Sequence, residues 1–510
     1  MMNDTTINHS RRTILKAATI AGIGGATLSL PARAQAPAQH HFDESYDVVI
    51  VGSGFGGLAA ALQARELGMS VLVVEKMPTF GGNSCLNGSG LAVAGLAEQA
   101  KLGIEDSAEL YKQDLLKAGR GLGIPELAHA IAYGSKEAYE WVVSHGVKFI
   151  DGVYLYGGHS VPRVKLGHRS TGADITIPLR EKGEQLGAQF RSRCAMEEIL
   201  MDNGSAVGIR VLDRHEWQRP GSGVEKRIQA KKGLIIATGG YAADVQFRLL
   251  QDPRLDASVG HTNQPGASAQ GLKEMLRVGG VGRHLSYIQL GPWCSPDEPG
   301  YGNSPDYSPY AGYTHGIAVD VNTGERFMNE TGDRTDRANA IIEILKGTPD
   351  AYPVLFCDET GHNDPGITPT RRRRIVKSGA VKAFDTLEAL AEHYGIPVKP
   401  FLAQVERYNA AVLAGDDSEF GKYITNLKPI GKAPFYAQRL SNRIHYTMGG
   451  AAIDQNASVL AMADGKPIPG LYAVGEVSSG GHGASRLGGV GTTDPLVMGR
   501  IAAKHIASLG

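Results

Sequence analysis

Asp47-Val48-Val49-Ile50-Val51-Gly52-Ser53-Gly54-Phe55-Gly56-Gly57 is the stretch that decides the fold. Its β-branched run suits a strand buried on both faces of a parallel sheet. The run leads without a break into Gly-x-Gly-x-x-Gly, and the pattern predicts a helix over 58–67. A second short run, Val71–Val74, ends at the acid Glu75. Strand, glycine turn, helix and acid-terminated strand together make a dinucleotide-binding unit. Gly52 permits the tight turn, Gly54 lets a pyrophosphate approach the backbone at the helix N-terminus, and Gly57 lets helix and strand pack closely. Glu75 is placed to hydrogen-bond ribose hydroxyls. Phe55 and Lys76 flank these positions and are counted with them as cofactor-binding residues.

Two later segments echo this chemistry. Residues 233–240, GLIIATGG, and 470–476, GLYAVGE, each read as a strand running into a small-residue turn. They add Thr238, Gly239, Gly240 and Glu476 to the expected cofactor site. Three parts of one nucleotide domain separated in sequence imply an insertion between them. The expected fold is therefore α/β: a discontinuous Rossmann-like cofactor domain over 45–285 and 443–510, with an inserted α+β capping domain over 286–442. The insertion carries a loop with Tyr301, Tyr307, Tyr310 and Tyr313, and a basic run Arg371–Arg374 that reads as a solvated face. It also carries two helical patterns. Asp385 and Glu388 form a capping box before Leu387, Leu390, Ala391 and Tyr394; a second helix after Pro397 and Pro400 presents Leu402, Val405, Tyr408 and Val412. Such an insertion is placed to act as a water-excluding lid.

The 510 residues exceed what one core usually supports, and two domains are expected. Lys+Arg and Asp+Glu are both 52, so no long-range field favours nucleic acid or an anionic bilayer, and the expected partner is a small molecule. Cys85, Cys194, Cys294 and Cys357 are far apart and make no zinc spacing or haem-attachment motif, so neither metal nor haem is expected; their disulfide state stays open. Ser10-Arg11-Arg12 precedes a short apolar run from Ala17 to Leu30 and Ala34-Gln35-Ala36. This resembles a twin-arginine signal over 1–36, which implies a periplasmic product exported folded, with no membrane span in the mature chain.

Five stretches in order resemble the soluble fumarate reductase (flavocytochrome c) family, related to succinate dehydrogenase flavoproteins and urocanate reductase. They are Gly81-Gly82-Asn83-Ser84, 261–266 (HTNQPG), 325–330 (ERFMNE), 445–450 (HYTMGG) and 483–488 (GASRLG). The likeness runs from about Tyr46 to the C-terminus. It implies FAD as cofactor, with Gly82, Asn83, Ser84 and Gly488 among its contacts. It also implies hydride exchange between flavin N5 and the carbon–carbon bond of a small carboxylate. His445 matches the histidine that hydrogen-bonds the substrate carboxylate, Arg486 the arginine that clamps it, and Arg334 the arginine that donates a proton. A planar guanidinium in a glycine-rich turn suits a carboxylate. Arg337, close to Arg334, is the rival for that last position.

The chain departs from the family where a second carboxylate would be gripped. The positions of the family's relay glutamate and arginine fall on Tyr310 and Tyr313, its threonine on Pro309, and its other substrate histidine near Gly291 in Gln289-Leu290-Gly291-Pro292-Trp293. The expected substrate is thus a monocarboxylate whose far end is larger, apolar or aromatic, met by Trp293 and Tyr310, with a proton relay through the loop tyrosines. Asn83-Ser84-Cys85 contains no histidine, which implies non-covalent FAD. The expected electron partner is a separate periplasmic cytochrome or a quinone-linked protein. Two alternatives are a ketosteroid-type dehydrogenase running toward desaturation and a flavin electron-transfer protein with no organic substrate. Arg486 argues against the first, because burying an unpaired charge for a neutral steroid is costly. Substrate identity, direction and oligomeric state are not legible.

Overall fold

The computed structural model describes residues 40–300 and 302–510. The expected signal segment 1–36 and Tyr301 lie outside the described residues. The glycine-turn unit forms with strand β1 (Glu44–Val51), helix α1 (Phe55–Glu66) and strand β2 (Val71–Val74). The helix starts three residues before the expected 58, because Gly54 serves as its N-cap and both following glycines enter its first turn.

The central sheet places β2 beside β1, then β3 (Val224–Ile236), then β4 (Pro467–Ala473), all parallel. The two downstream echoes therefore stand next to each other, the first of them beside β1, although more than two hundred residues separate them. Parallel strands are buried on both faces, and Val48, Val49, Ile50, Leu234, Ile235 and Ile236 are all fully buried. Residues 194–202 and 205–213 extend the sheet as an antiparallel meander onto β3. The C-terminal helix Val490–Ser508 packs on α1 at near-contact distance: a Cβ at Gly499 would lie 2.5 Å from the carbonyl oxygen of Gly56.

Between β3 and β4 in sequence lies a second, antiparallel sheet, ordered Ile317–Val319, Val354–Cys357, Phe435–Arg439 and Lys382–Phe384. Helices Leu387–Tyr394 and Val398–Ala414 cover it with Leu390, Phe401, Val405 and Tyr408. This is the expected α+β insertion, with two local corrections. The first helix is capped by Thr386, whose hydroxyl accepts from the Ala389 amide at 3.0 Å, and not by Asp385. The basic run is not wholly a solvated face either. Arg371 and Arg374 both pair with Asp306, a buried carboxylate in the tyrosine loop, so two of the four arginines anchor that loop.

One antiparallel ribbon, Ile288–Cys294 with Ser441–Thr447, carries the chain into and out of the insertion. All four cysteines are free. Among the described residues no helix is long and apolar enough to cross a membrane.

Candidate active site

The parallel strands β1, β2, β3 and β4 end at Val51, Val74, Ile236 and Ala473, and one elongated cavity begins beyond those ends, where open α/β sheets bind ligands. Counting its open mouth, the empty space is about 2010 Å³. Gly52, Gly54, Phe55, Glu75 and Lys76 line one end; Gly82, Asn83, Ser84, Thr238, Gly239 and Glu476 line the cavity as well. Three expected residues do not reach it. Gly57 lies behind the wall, where a Cβ would sit 2.0 Å from the carbonyl oxygen of Gly52, so its role is the close packing of helix on turn. A Cβ at Gly240 would strike Glu476 and Thr447, and one at Gly488 would strike the Tyr156 ring; both are spacers, and Gly489 lines the cavity instead.

The turn fits a dinucleotide. Gly52 holds φ +106°, and a Cβ there would lie 2.3 Å from the Ala237 carbonyl oxygen, so only bare backbone can bring β1 this close to β3. Glu75 accepts from the Ser53 hydroxyl at 2.7 Å and the Met77 amide at 3.0 Å, which aligns the acid with the glycine turn. Ser84 accepts from the Phe55 amide at 2.9 Å, covering the first turn of α1. Thr238 presents a buried hydroxyl with no partner among the described residues, and a Cβ at Gly239 would meet nothing within 4 Å. Lys76 donates to Ser268 at 2.7 Å. Open backbone, a helix N-terminus and an unsatisfied hydroxyl along one groove suit the phosphates and ribose of FAD.

At the far end the cavity meets Arg334, Arg486, His445, Trp293 and Tyr310 together. Arg334 is the first residue of helix Arg334–Gly347, capped by Asp333. Arg486 lies in the glycine-rich turn, its guanidinium 4.2 Å from the centroid of Tyr446 and its Nη1 donating to the Leu487 carbonyl at 2.9 Å. Arg486 Nε and Arg334 Nη1 are buried with no hydrogen-bond partner among the described residues. Unpaired buried guanidinium N–H groups are costly unless an anion arrives. Desolvation holds Arg334 well below the usual arginine range, and the positive charges of Arg486 and then Arg337 lower it further. Desolvation, then the positive charges of Arg334 and Arg486, push His445 well below its usual range and keep its ring neutral. Its Nδ1 shares a 2.8 Å hydrogen bond with the Thr262 hydroxyl, and Asn263 donates to its carbonyl at 2.9 Å. The HTNQPG stretch thus buttresses His445, a role its sequence did not reveal.

Arg337 also lines the cavity, its Nε likewise buried without a hydrogen-bond partner among the described residues, while its guanidinium lies 4.5 Å from the Tyr313 ring and donates to the Glu330 carbonyl at 3.2 Å. The Tyr313 hydroxyl donates to the Pro292 carbonyl. Tyr310 accepts at 2.8 Å from Tyr156, a cavity residue that sequence reasoning missed because nothing marks it in its loop. The ERFMNE stretch is structural. Arg326 pairs with Glu330 at 2.8 Å and Asp417 at 3.0 Å, all fully or nearly fully buried, and Glu330 caps the backbone at Ala318.

The chain matches the FAD binding domain family over residues 47–492. It belongs to that family. FAD is its cofactor, and it is a flavoprotein oxidoreductase. It is similar to the acrylate reductase flavoprotein subunit of Shewanella woodyi, 40% identical over 468 residues covering 91% of each chain. It is also similar to the fumarate reductase (cytochrome) of Shewanella frigidimarina, 32% identical over 91% of this chain and 77% of that one. Among solved structures, the open conformation of a flavocytochrome c3 fumarate reductase superposes with a TM-score of 0.69 at 29% identity, over 92% of this chain and 79% of the other.

Proposed function

We propose that this flavoenzyme reduces the carbon–carbon double bond of an α,β-unsaturated monocarboxylate with an apolar or aromatic far end. What carries the reading is the indole of Trp293. A Cβ at Gly291 would lie 2.9 Å from Trp293 Cζ2 and 3.3 Å from the Cβ of His445, so the ring fills the space that a side chain at 291 would use. Pro309 lines the same end and has no side-chain donor. A second carboxylate would meet an indole and a proline, whereas a methylene or aryl group would be desolvated favourably. Similarity to an acrylate reductase supports the monocarboxylate, and similarity to a fumarate reductase supports the bond type.

Arg486 and His445 hold the carboxylate, and the unpaired Nε of Arg486 gains its partner when the substrate enters. Both stabilise charge that grows on the carboxylate as hydride arrives. When bound and reduced, FAD supplies that hydride from N5. Arg334 gives a proton to the α-carbon; its lowered pKa makes it a better acid than a solvated guanidinium. Asn83, Ser84 and Cys85 offer no histidine for a flavin bond, which supports non-covalent FAD. The insertion over 286–442 is the lid on 45–285 and 443–510, supported by the single ribbon that carries both crossings. Export to the periplasm by the paired-arginine segment, and electrons from a separate cytochrome or quinone-linked donor, complete the proposal.

The binding half is tested by titrating the oxidised FAD-loaded protein with cinnamate and with fumarate while following the flavin absorbance. Saturable perturbation by cinnamate, absent in Arg486→Met and not displaced by fumarate, is expected. Equal binding of fumarate contradicts the reading of Trp293 and Pro309.

A further inference from the structure

The residues that precede Arg334 and Arg486 are hydrogen-bonded to each other. Ser485 donates its hydroxyl proton to the Asp333 carboxylate, 2.8 Å to Oδ2 and 3.1 Å to Oδ1. The same oxygen accepts from the Thr335 hydroxyl at 3.1 Å and from Gln289 Nε2 at 3.1 Å. A hydroxyl has one proton and two lone pairs, so every capacity of Ser485 is used. Gln289 Nε2 also donates to the carbonyl of Arg486 at 3.1 Å. Ser485 is 1% and Gln289 2% exposed, so water cannot replace these partners. On the outer side Arg120 pairs with Asp336 at 2.6 Å and approaches Asp333 at 3.8 Å.

Three segments meet at this hydroxyl. They are the ribbon leading into the insertion, the N-terminus of the helix that begins with Arg334, and the glycine-rich turn that carries Arg486. We infer that Ser485 and Asp333 form a latch that clasps this helix to the turn and fixes Arg334 relative to Arg486. They are positioning residues, acting on the proton donor through the backbone one position away. The inference rests on the proposed roles of Arg334 and Arg486. Asp333 is also the helix cap, its Oδ1 accepting from the Thr335 amide at 2.8 Å, so the carboxylate couples the helix start to the latch. The carboxylate of the substrate stays with Arg486 and His445 when the latch opens, while the Arg334 guanidinium shifts. A misplacement of about 1 Å costs on the order of a hundredfold in rate.

The test compares the full-length, FAD-loaded wild type with Ser485→Ala, Asp333→Asn, Thr335→Val and Arg334→Met, using cinnamate as substrate. It reads kcat, KM, the solvent deuterium isotope effect on kcat, and amide exchange over 331–337 and 485–489 without substrate. Ser485→Ala is expected to lower kcat by about 10- to 100-fold with KM within about threefold. Its isotope effect is expected to rise, and exchange to quicken in both segments together. Asp333→Asn keeps an oxygen acceptor for Ser485 and for the helix amide, and stays within about fivefold of wild type. Thr335→Val removes one contact and moves the same readouts less, which keeps the test open if Ser485→Ala folds poorly. An unchanged isotope effect in both Ser485→Ala and Thr335→Val, or quickened exchange confined to 485–489, overturns the latch. Full turnover in Arg334→Met would instead end the proton-donor reading, and exchange still reports on the latch.

Discussion

The guanidinium of Arg334 lies over the indole of Trp293, 4.7 Å from the ring centroid, and that indole meets the His445 ring edge-on at 4.7 Å. One aromatic side chain thus braces the proposed proton donor, touches the proposed carboxylate ligand His445 and fills the space above Gly291. Removing it disturbs all three. Trp293→Ala is expected to lower kcat/KM for an aromatic-ended acid by about 10- to 100-fold, from cation–π and ring-contact losses of roughly 0.5–1.5 kcal/mol each. Trp293→Phe retains most of it. Steady-state kinetics with paired short and aryl-ended acids checks this; equal loss for both would assign Trp293 to bracing alone.

Glu476 should leave a mark on stability. Desolvation pushes its carboxyl up to about 7, against the lowering influence of the Thr447 amide and Arg486. Between roughly pH 4.5 and 7 the folded protein keeps a proton that the unfolded chain has released. Stability therefore falls as pH rises through that window and levels off above it. The full effect is at most about 1–3 kcal/mol, since the group faces the cavity. Thermal unfolding of Glu476→Gln between pH 5 and 8 should show a flatter profile than wild type. A parallel profile refutes the assignment.

The Arg326 cluster predicts a different kind of loss. Arg326, Glu330 and Asp417 are buried together with Lys422, whose amine burial lowers to about 8. Arg326→Met leaves two buried carboxylates with a single weakened cation. It should destabilise the protein by about 3–5 kcal/mol. Denaturant unfolding measures it; a change within about 0.5 kcal/mol would mean the cluster is not structural.

Thiol chemistry separates Cys85 from the rest. Burial raises Cys194, Cys294 and Cys357 to about 12, whereas Cys85 is partly exposed. A thiolate is the reactive form. Native protein should react at Cys85 alone with an aromatic disulfide reagent, and at all four cysteines once denatured. Four thiols in neither state would reveal disulfides.

The sequence was legible where a residue's role depends on its own backbone. Gly52 and the strand ends at Val51, Val74 and Ile236 follow from period and punctuation, because a tight turn demands glycine wherever it occurs. Gly240 and Gly488 were read as contacts but do not line the cavity, since spacing does not say which face of a turn a residue presents. Tyr156, Thr262 and Ser485 were silent because their partners, Tyr310, His445 and Asp333, lie more than a hundred positions away. Arg371 and Arg374 looked solvated because Asp306, which they clasp, is distant in sequence. Asp385 gave way to Thr386 as a cap, a slip of one residue between two competent side chains.

The most direct test of the central claim is anaerobic reoxidation. The reduced FAD-loaded protein is mixed rapidly with acrylate, cinnamate, urocanate or fumarate, and the return of the oxidised flavin band is timed. Fast reoxidation by at least one monocarboxylate, lost in Arg486→Met, with fumarate at least about 100-fold slower, is the predicted result. Fumarate as the best oxidant, or reoxidation indifferent to Arg486, would contradict it.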